Sequence, residues 1–130
     1  MSGAEQSVRA KALALLRADA VLAAMVHGIF DGVHPRASAP YVTVAAAEGS
    51  DWGTKDRAGR EVRLTLMLTG AGAVADNSAA ARIESAVAAL RGPADGWSIV
   101  AARTVRTRLT LPREGGWRYE WVARCRCLAG

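Results

Sequence analysis

The sequence predicts an α+β domain: a mainly antiparallel sheet with two principal helices packed on one face, in the order α(α)ββ-α-ββ. Three observations carry this. Residues 4–26 and 78–91 repeat apolar side chains at helical spacing. Residues 60–69 and 117–127 alternate between apolar and polar, as half-buried strands do. The strands fall in two consecutive pairs, one on each side of the second helix, which places helices and sheet in separate layers.

Taken in order, Val8, Ala12, Leu15, Leu16 and Leu22 mark one face of 4–26, with Arg9, Lys11 and Arg17 off it. Asp19 is a good N-cap residue and predicts a restart as a short helix over 20–27, with Gly28 as its stop. Residues 28–41 hold Ile29, Phe30 and Val33 among turn formers, and Pro35 and Pro40 disfavour helix, so this is a short strand or an irregular link. A strand is expected over 41–47, a polar loop over 48–59 and a strand over 60–69. In the last, Val62, Leu64, Leu66 and Leu68 oppose Glu61, Arg63, Thr65 and Met67. After a loop at 71–75, a helix over 78–91 opens near the capping residues Asp76, Asn77 and Ser78. It buries Ile83, Val87 and Leu90 and ends at Gly92-Pro93.

The last third reads as a hairpin, 97–111 and 117–127 around PREGG. Trp117, Tyr119, Trp121, Ala123, Cys125 and Cys127 share one face; Arg118, Glu120, Val122, Arg124 and Arg126 share the other. Pairing Leu111 with Trp117 brings Leu109 to Tyr119, Thr107 to Trp121 and Val105 to Ala123, and sets Arg108 opposite Glu120. A one-residue slip would bury the arginines, so this register is expected.

With 130 residues the chain is expected to be one domain, 1–130, able to bury a core unaided. A composition 51% hydrophobic and 22% charged excludes a disordered tail. No stretch of about 18 uncharged apolar residues is present, so no membrane span is expected. The opening MSGAEQSVRAKALALL lacks the order of a secretory signal, from which a cytoplasmic origin is expected. The net charge of +5 permits an acidic partner. Lys11 and Lys55 are the only lysines. So strong an arginine bias in so alanine-rich a chain fits a GC-rich coding sequence as well as a nucleic-acid partner.

No catalytic constellation emerges. His27 and His34 read as surface or cap residues, and Ser38, Ser50, Ser78, Ser85 and Ser98 lie in no nucleophile motif. Asp51 and Asp56 share one loop, a poor platform for acid–base geometry. GAGAVADNSAA at 70–80 follows a strand and opens a helix but lacks dinucleotide-loop spacing and a Walker lysine, so it reads as an ordinary loop. Cys125 and Cys127 do not complete a zinc site and read as small buried residues. No metal or cofactor is expected. Arg106, Arg108, Arg118, Arg124 and Arg126, with Arg103 nearby, stud one sheet face. That face is solvated, or meets an acidic protein, or meets DNA phosphate; its aromatics lie on the opposite side, which disfavours single-strand binding.

In sequence order, LRADAVLAAMV ends the first helix, GIFDGV leads to PYVTV, and DWGTKDRAGRE leads into VRLTLML. AARIESAVAAL forms the next helix and WRYEWVARCRC closes the chain. Over nearly its whole length this set resembles the small tail-terminator (tail-completion) proteins of long-tailed phages. In length and Ala/Arg-rich composition it is similar to the versions in gene transfer agents. The resemblance implies a structural protein without catalytic residues, made in the bacterial cytoplasm and placed in the particle at the head-proximal end of the tail. It implies a ring, usually a hexamer, that ends the tail tube and joins it to the head–tail connector or stopper protein, with DNA passing through the lumen. A domain with a radius of gyration of about 14 Å cannot enclose a duplex, so copies must close a ring by head-to-tail contacts.

On that reading the loop 48–59 is a projecting arm, with Trp52 as an anchor beside Lys55, Asp56 and Arg57; otherwise Trp52 folds back on its own sheet. Arg106, Arg108, Arg118 and Arg124 form a second assembly surface, facing a neighbour, the lumen or solvent. The alternatives are another head–tail connector or tail-tube ring component, or a small basic DNA-binding module.

Overall fold

Ala4–Ala18 forms α1, and Ala20–Met25 forms α2. The break between them is made by Asp19, whose Oδ1 accepts the N–H groups of Val21 and Leu22, both at 3.0 Å, as an N-cap does. A computed structural model describes residues 3–32 and 36–130. The readings made on Val33, His34 and Pro35 lie outside the described residues. The remaining elements are β1 (Ile29–Asp31), β2 (Tyr41–Asp51), β3 (Gly59–Gly70), α3 (Ala80–Ala88), β4 (Gly92–Ala94), β5 (Trp97–Thr110) and β6 (Trp117–Ala129). The six strands form one sheet in the order β1-β2-β3-β6-β5-β4, antiparallel except for the parallel β1–β2 pair. This is the α+β arrangement the patterns predict.

The alternating strands supply the core. Val62, Leu64, Leu66 and Leu68 of β3 and Trp121, Ala123, Cys125 and Cys127 of β6 are all buried. They meet Val8, Ala12 and Leu16 of α1, Leu22 of α2, and Ile83 and Val87 of α3, with Leu90 just beyond. Each fully buried Val or Leu contributes about 1.5–3 kcal/mol. Trp117 lies flat over Gly70, its cross-strand partner: a Cβ there would sit 2.0 Å from the indole, so only glycine fits.

The basic residues of α1 are tethers. Arg17 donates to the Ile29 carbonyl from Nε and Nη2, at 3.1 and 2.9 Å. Arg9 donates to the Val44 carbonyl (3.2 Å) and pairs with Asp31. Lys11 Nζ donates to the carbonyls of Leu90 (2.7 Å) and Pro93 (3.0 Å), placing a cation just beyond the C-terminal end of α3. Arg82 of α3 in turn donates to Asp19 Oδ2 at 2.8 Å. These contacts lock the three helices to one another and to the sheet.

Several boundaries differ from expectation. The strands flanking the predicted loop 48–59 run on through Asp51 and restart at Gly59, because their backbones keep pairing from Glu48↔Arg63 to Asp51↔Arg60. At 28–41, by contrast, the short strand of the two expected alternatives is the one formed, as β1. The helix expected over 78–91 is shorter: Asp76 accepts from Ser78 N–H at 2.9 Å in a turn ahead of it, so the cap residues act one turn early. Gly92-Pro93 does not simply end that helix but starts β4, which turns through Asp95 (φ 40°) and Gly96 (φ 85°) into Trp97. Asp-Gly is the residue pair that such a two-residue hairpin turn demands.

The terminal register holds at Leu109↔Tyr119 and Thr107↔Trp121, and Arg108 does stand opposite Glu120. It fails at Val105, which bulges so that Thr104, not Val105, meets Ala123. The bulge brings Arg106 into reach, and Arg106, not Arg108, takes Glu120, at 2.9 Å.

Two outcomes are expected. Lys11→Met leaves the carbonyls of Leu90 and Pro93 without their cation and lowers unfolding free energy by about 1–2 kcal/mol at unchanged m-value, read by urea denaturation. The hydrogen bond from Arg82, then the Leu22 N–H, holds the Asp19 carboxyl below its usual 3.8; that from Arg60 holds Glu5 below its usual 4.5. Both contributions are complete above the usual values and lost as pH falls through the lower folded ones. Stability therefore declines below pH about 4, and less steeply in Asp19→Asn, as thermal melts across that range will read.

Candidate assembly surfaces

The β2–β3 tip is a closed turn. Trp52 N–H donates to the Gly59 carbonyl (3.0 Å) and Thr54 N–H to the Arg57 carbonyl (2.9 Å). Of the four arm residues singled out from sequence, two are held by their own domain. Trp52 is half-buried, with the Arg126 guanidinium 5.3 Å from its ring centroid, a cation–π contact on the outer side of the sheet. Arg57 Nε donates to the Ala129 carbonyl at 2.8 Å, tying the turn to the end of β6. Lys55 and Asp56 are exposed, and neither meets a partner among the described residues.

The sheet face away from the helices carries the arginines. Sheet order brings β3 beside β6, and that adds members the terminal hairpin alone does not show. Arg63 of β3 faces Arg124 of β6, which faces Arg103 of β5: three arginines in direct cross-strand register. Like charges directly opposite destabilise a sheet. Glu48 stands beside Arg63 at one end of this row. One row along, Glu61 lies 3.5 Å from Arg124 Nε and 3.7 Å from Arg126 Nε, at the long end of ion-pair distance.

The charges do not balance within the chain. Among the described residues Arg63, Arg103, Arg108 and Arg118 meet no carboxylate within 4.0 Å, and the Nε atoms of Arg118 and Arg126 are buried without a hydrogen-bond partner. Of the four arginines singled out from sequence, Arg106 and Arg124 are ion-paired, while Arg108 and Arg118 are not. Arg63 is the member the sequence reading left out of the cluster. Its place on the polar side of the 60–69 alternation was the available signal, but only the β3–β6 pairing makes it a neighbour of Arg124. A cleft of about 400 Å³, lined by Glu48, Arg63, Thr65, Val105, Arg106 and Val122, lies along this face.

On the helix side, Cys125 and Cys127 are buried and unbridged. Burial pushes the Cys125 thiol up to about 12 and the Cys127 thiol up to about 11. Groups so hard to ionise are poor nucleophiles and poor metal ligands, as small core residues should be. His27 is exposed, its backbone N–H donating to the Pro40 carbonyl at 2.8 Å. Among the described residues no three His, Cys, Asp or Glu side chains converge as a metal site, and no helix is long and apolar enough to cross a membrane.

The profile of the family described as tail completion protein gp17 matches residues 11–128. No curated protein sequence matches the chain. A chain from the solved virion of a native gene transfer agent particle superposes on it with a TM-score of 0.75 and 25% identity, covering 98% of this chain and 100% of that one.

The buried thiols offer a direct check on the helix-side face. Neither Cys125 nor Cys127 is expected to react with a thiol-specific reagent at pH 8 in the folded protein, and both react once denaturant is added. Rapid modification of the native chain would show that β6 does not face the helices as described.

Proposed function

The chain belongs to the tail completion protein gp17 family, and from that premise we propose that it forms a ring, a hexamer, that ends the tail tube of a phage-like particle. The ring sits at the head-proximal end, between the tail-tube protein and the head–tail connector or stopper, and DNA passes through its lumen without sequence-specific contact. The role is structural rather than enzymatic. The similarity to a chain of a gene transfer agent virion supports a place in such a particle.

The observation that carries an assembly role is the row Arg63–Arg124–Arg103. A single chain gains nothing by placing like charges in register. An acidic surface of a neighbouring protein would balance them. Glu48, Glu61 and Glu120 are interleaved among these arginines, which suits a protein surface better than a run of phosphates. Lys55 and Asp56 at the β2–β3 tip, with Trp52 beside them, make the second contact of a head-to-tail interface.

Arg103→Glu separates fold from assembly. Opposite Arg124 it relieves repulsion, so the purified variant is expected to gain a few tenths of a kcal/mol in stability. In particles the same variant is expected to leave heads and tails unjoined; normal particles and normal DNA delivery would remove the arginine row from the interface. Trp52→Ala costs the fold about 1–2 kcal/mol, since a half-buried cation–π contact lies between the exposed and desolvated cases, and is expected to impair assembly of a chain that still folds. A variant that cannot fold would show that Trp52 is a core residue and not an anchor.

A further inference from the structure

The exposed apolar residues are not scattered. Among the described residues six large ones stand out: Val21, Met25, Val74, Val100, Leu109 and Leu111. Val21 and Met25 lie one turn apart on α2. Met25 lines a cavity of about 290 Å³ together with Val26, Pro40, Leu68, Ala79 and Trp117. Val74, at 82% exposure, lies in the loop between Ala71 and Asp76, which also border that cavity. Trp117 packs edge-on against Tyr119, 5.8 Å between centroids, and Leu109 pairs across the hairpin with Tyr119, with Leu111 two residues on. Only Val100 lies elsewhere, near the far end of β5.

The cavity is prepared for an apolar occupant. The Trp117 indole N–H is already satisfied by the Ala71 carbonyl at 3.1 Å. The Ser78 hydroxyl is spent on Asp76, a bond that holds the Asp76 carboxyl below its usual 3.8. What remains is apolar wall with one carboxylate at its edge, in a volume just under the roughly 300–1,000 Å³ of small-molecule pockets. That suits a single side-chain anchor with a cation beside it.

We propose that this end of the molecule, from Met25 across Trp117 to Leu111, docks a different protein that inserts an apolar side chain flanked by a basic residue. The choice of a different protein rests on the ring reading. A second copy meeting this face through its own same face would be isologous and would close as a two-fold dimer, and the heterologous route, through Val100 of a neighbouring copy, is reported by the probe at position 100. A ring closes through heterologous contacts, which leaves this face free for a partner stacked along the ring axis.

The test places a photo-crosslinking residue, p-benzoylphenylalanine, at position 74 or 111 of the full chain in cells that make the particles. The particles are then irradiated and the adducts identified by mass spectrometry. An adduct with a different particle protein is expected at both positions, lost when Met25→Glu is added, and absent with the probe at position 100. Chain recovered in particles but joined only to itself, or to nothing, would overturn this docking surface and leave the ring intact. Absence of the unsubstituted chain from purified particles would overturn the ring reading and this inference with it.

Discussion

The structure depends on the register between its two central strands. β3 and β6 pair without interruption from Gly59↔Leu128 to Gly70↔Trp117. That pairing sets Val62, Leu64, Leu66 and Leu68 beside Cys125, Ala123, Trp121 and Tyr119 under the helices, and Arg63 beside Arg124 on the other side. A slip by one residue would exchange the faces, exposing the core row and burying arginines, at a cost far above the few kcal/mol that separate folded from unfolded chains. The helices then only need to cover one side. They are fastened to it by Arg9, Lys11 and Arg17, which bond carbonyls of the sheet edge and of the chain leaving α3.

The same alternation that builds the core also divides the surface. One side of the sheet is a field of arginines in excess over glutamates; one end of the helix side is a patch of Val, Met and Leu around a cavity. These surfaces call for different partners. Charge in register, costly to the isolated chain, is relieved by an acidic neighbour, and exposed apolar area by an anchor residue. The ring we propose needs lateral contacts between its copies and axial contacts with other proteins, and two chemically distinct surfaces would keep those from competing.

Much of this was legible in the sequence because it is periodic. The helices around Leu16 and Ile83, the break at Asp19 and the alternation of 60–69 and 117–127 follow from spacing and capping alone. What was missed has no period. The bulge at Val105 depends on how β5 bends along β6: Arg108 stands opposite Glu120 as the register predicts, but the ion pair goes to Arg106. The β4–β5 turn is written in Asp95-Gly96, but Gly92-Pro93 just before it carries the stronger local signal, that of a helix end. The tip at 52–58 looked longer than it is because Glu48, Ser50 and Asp51 are polar residues in strand conformation. The arginine row needed long-range strand order, which no local pattern contains. The cavity beside Trp117 gathers residues from α2, β3, β6 and the loop before α3, and no single stretch of sequence announces it.

The most direct measurement is electron microscopy of particles from cells that lack this protein, beside cells in which it is restored. Tails of overlong or uneven length, or tails unattached to filled heads, are expected without it and cured by its return. Particles with normal, joined tails in its absence would contradict the ring.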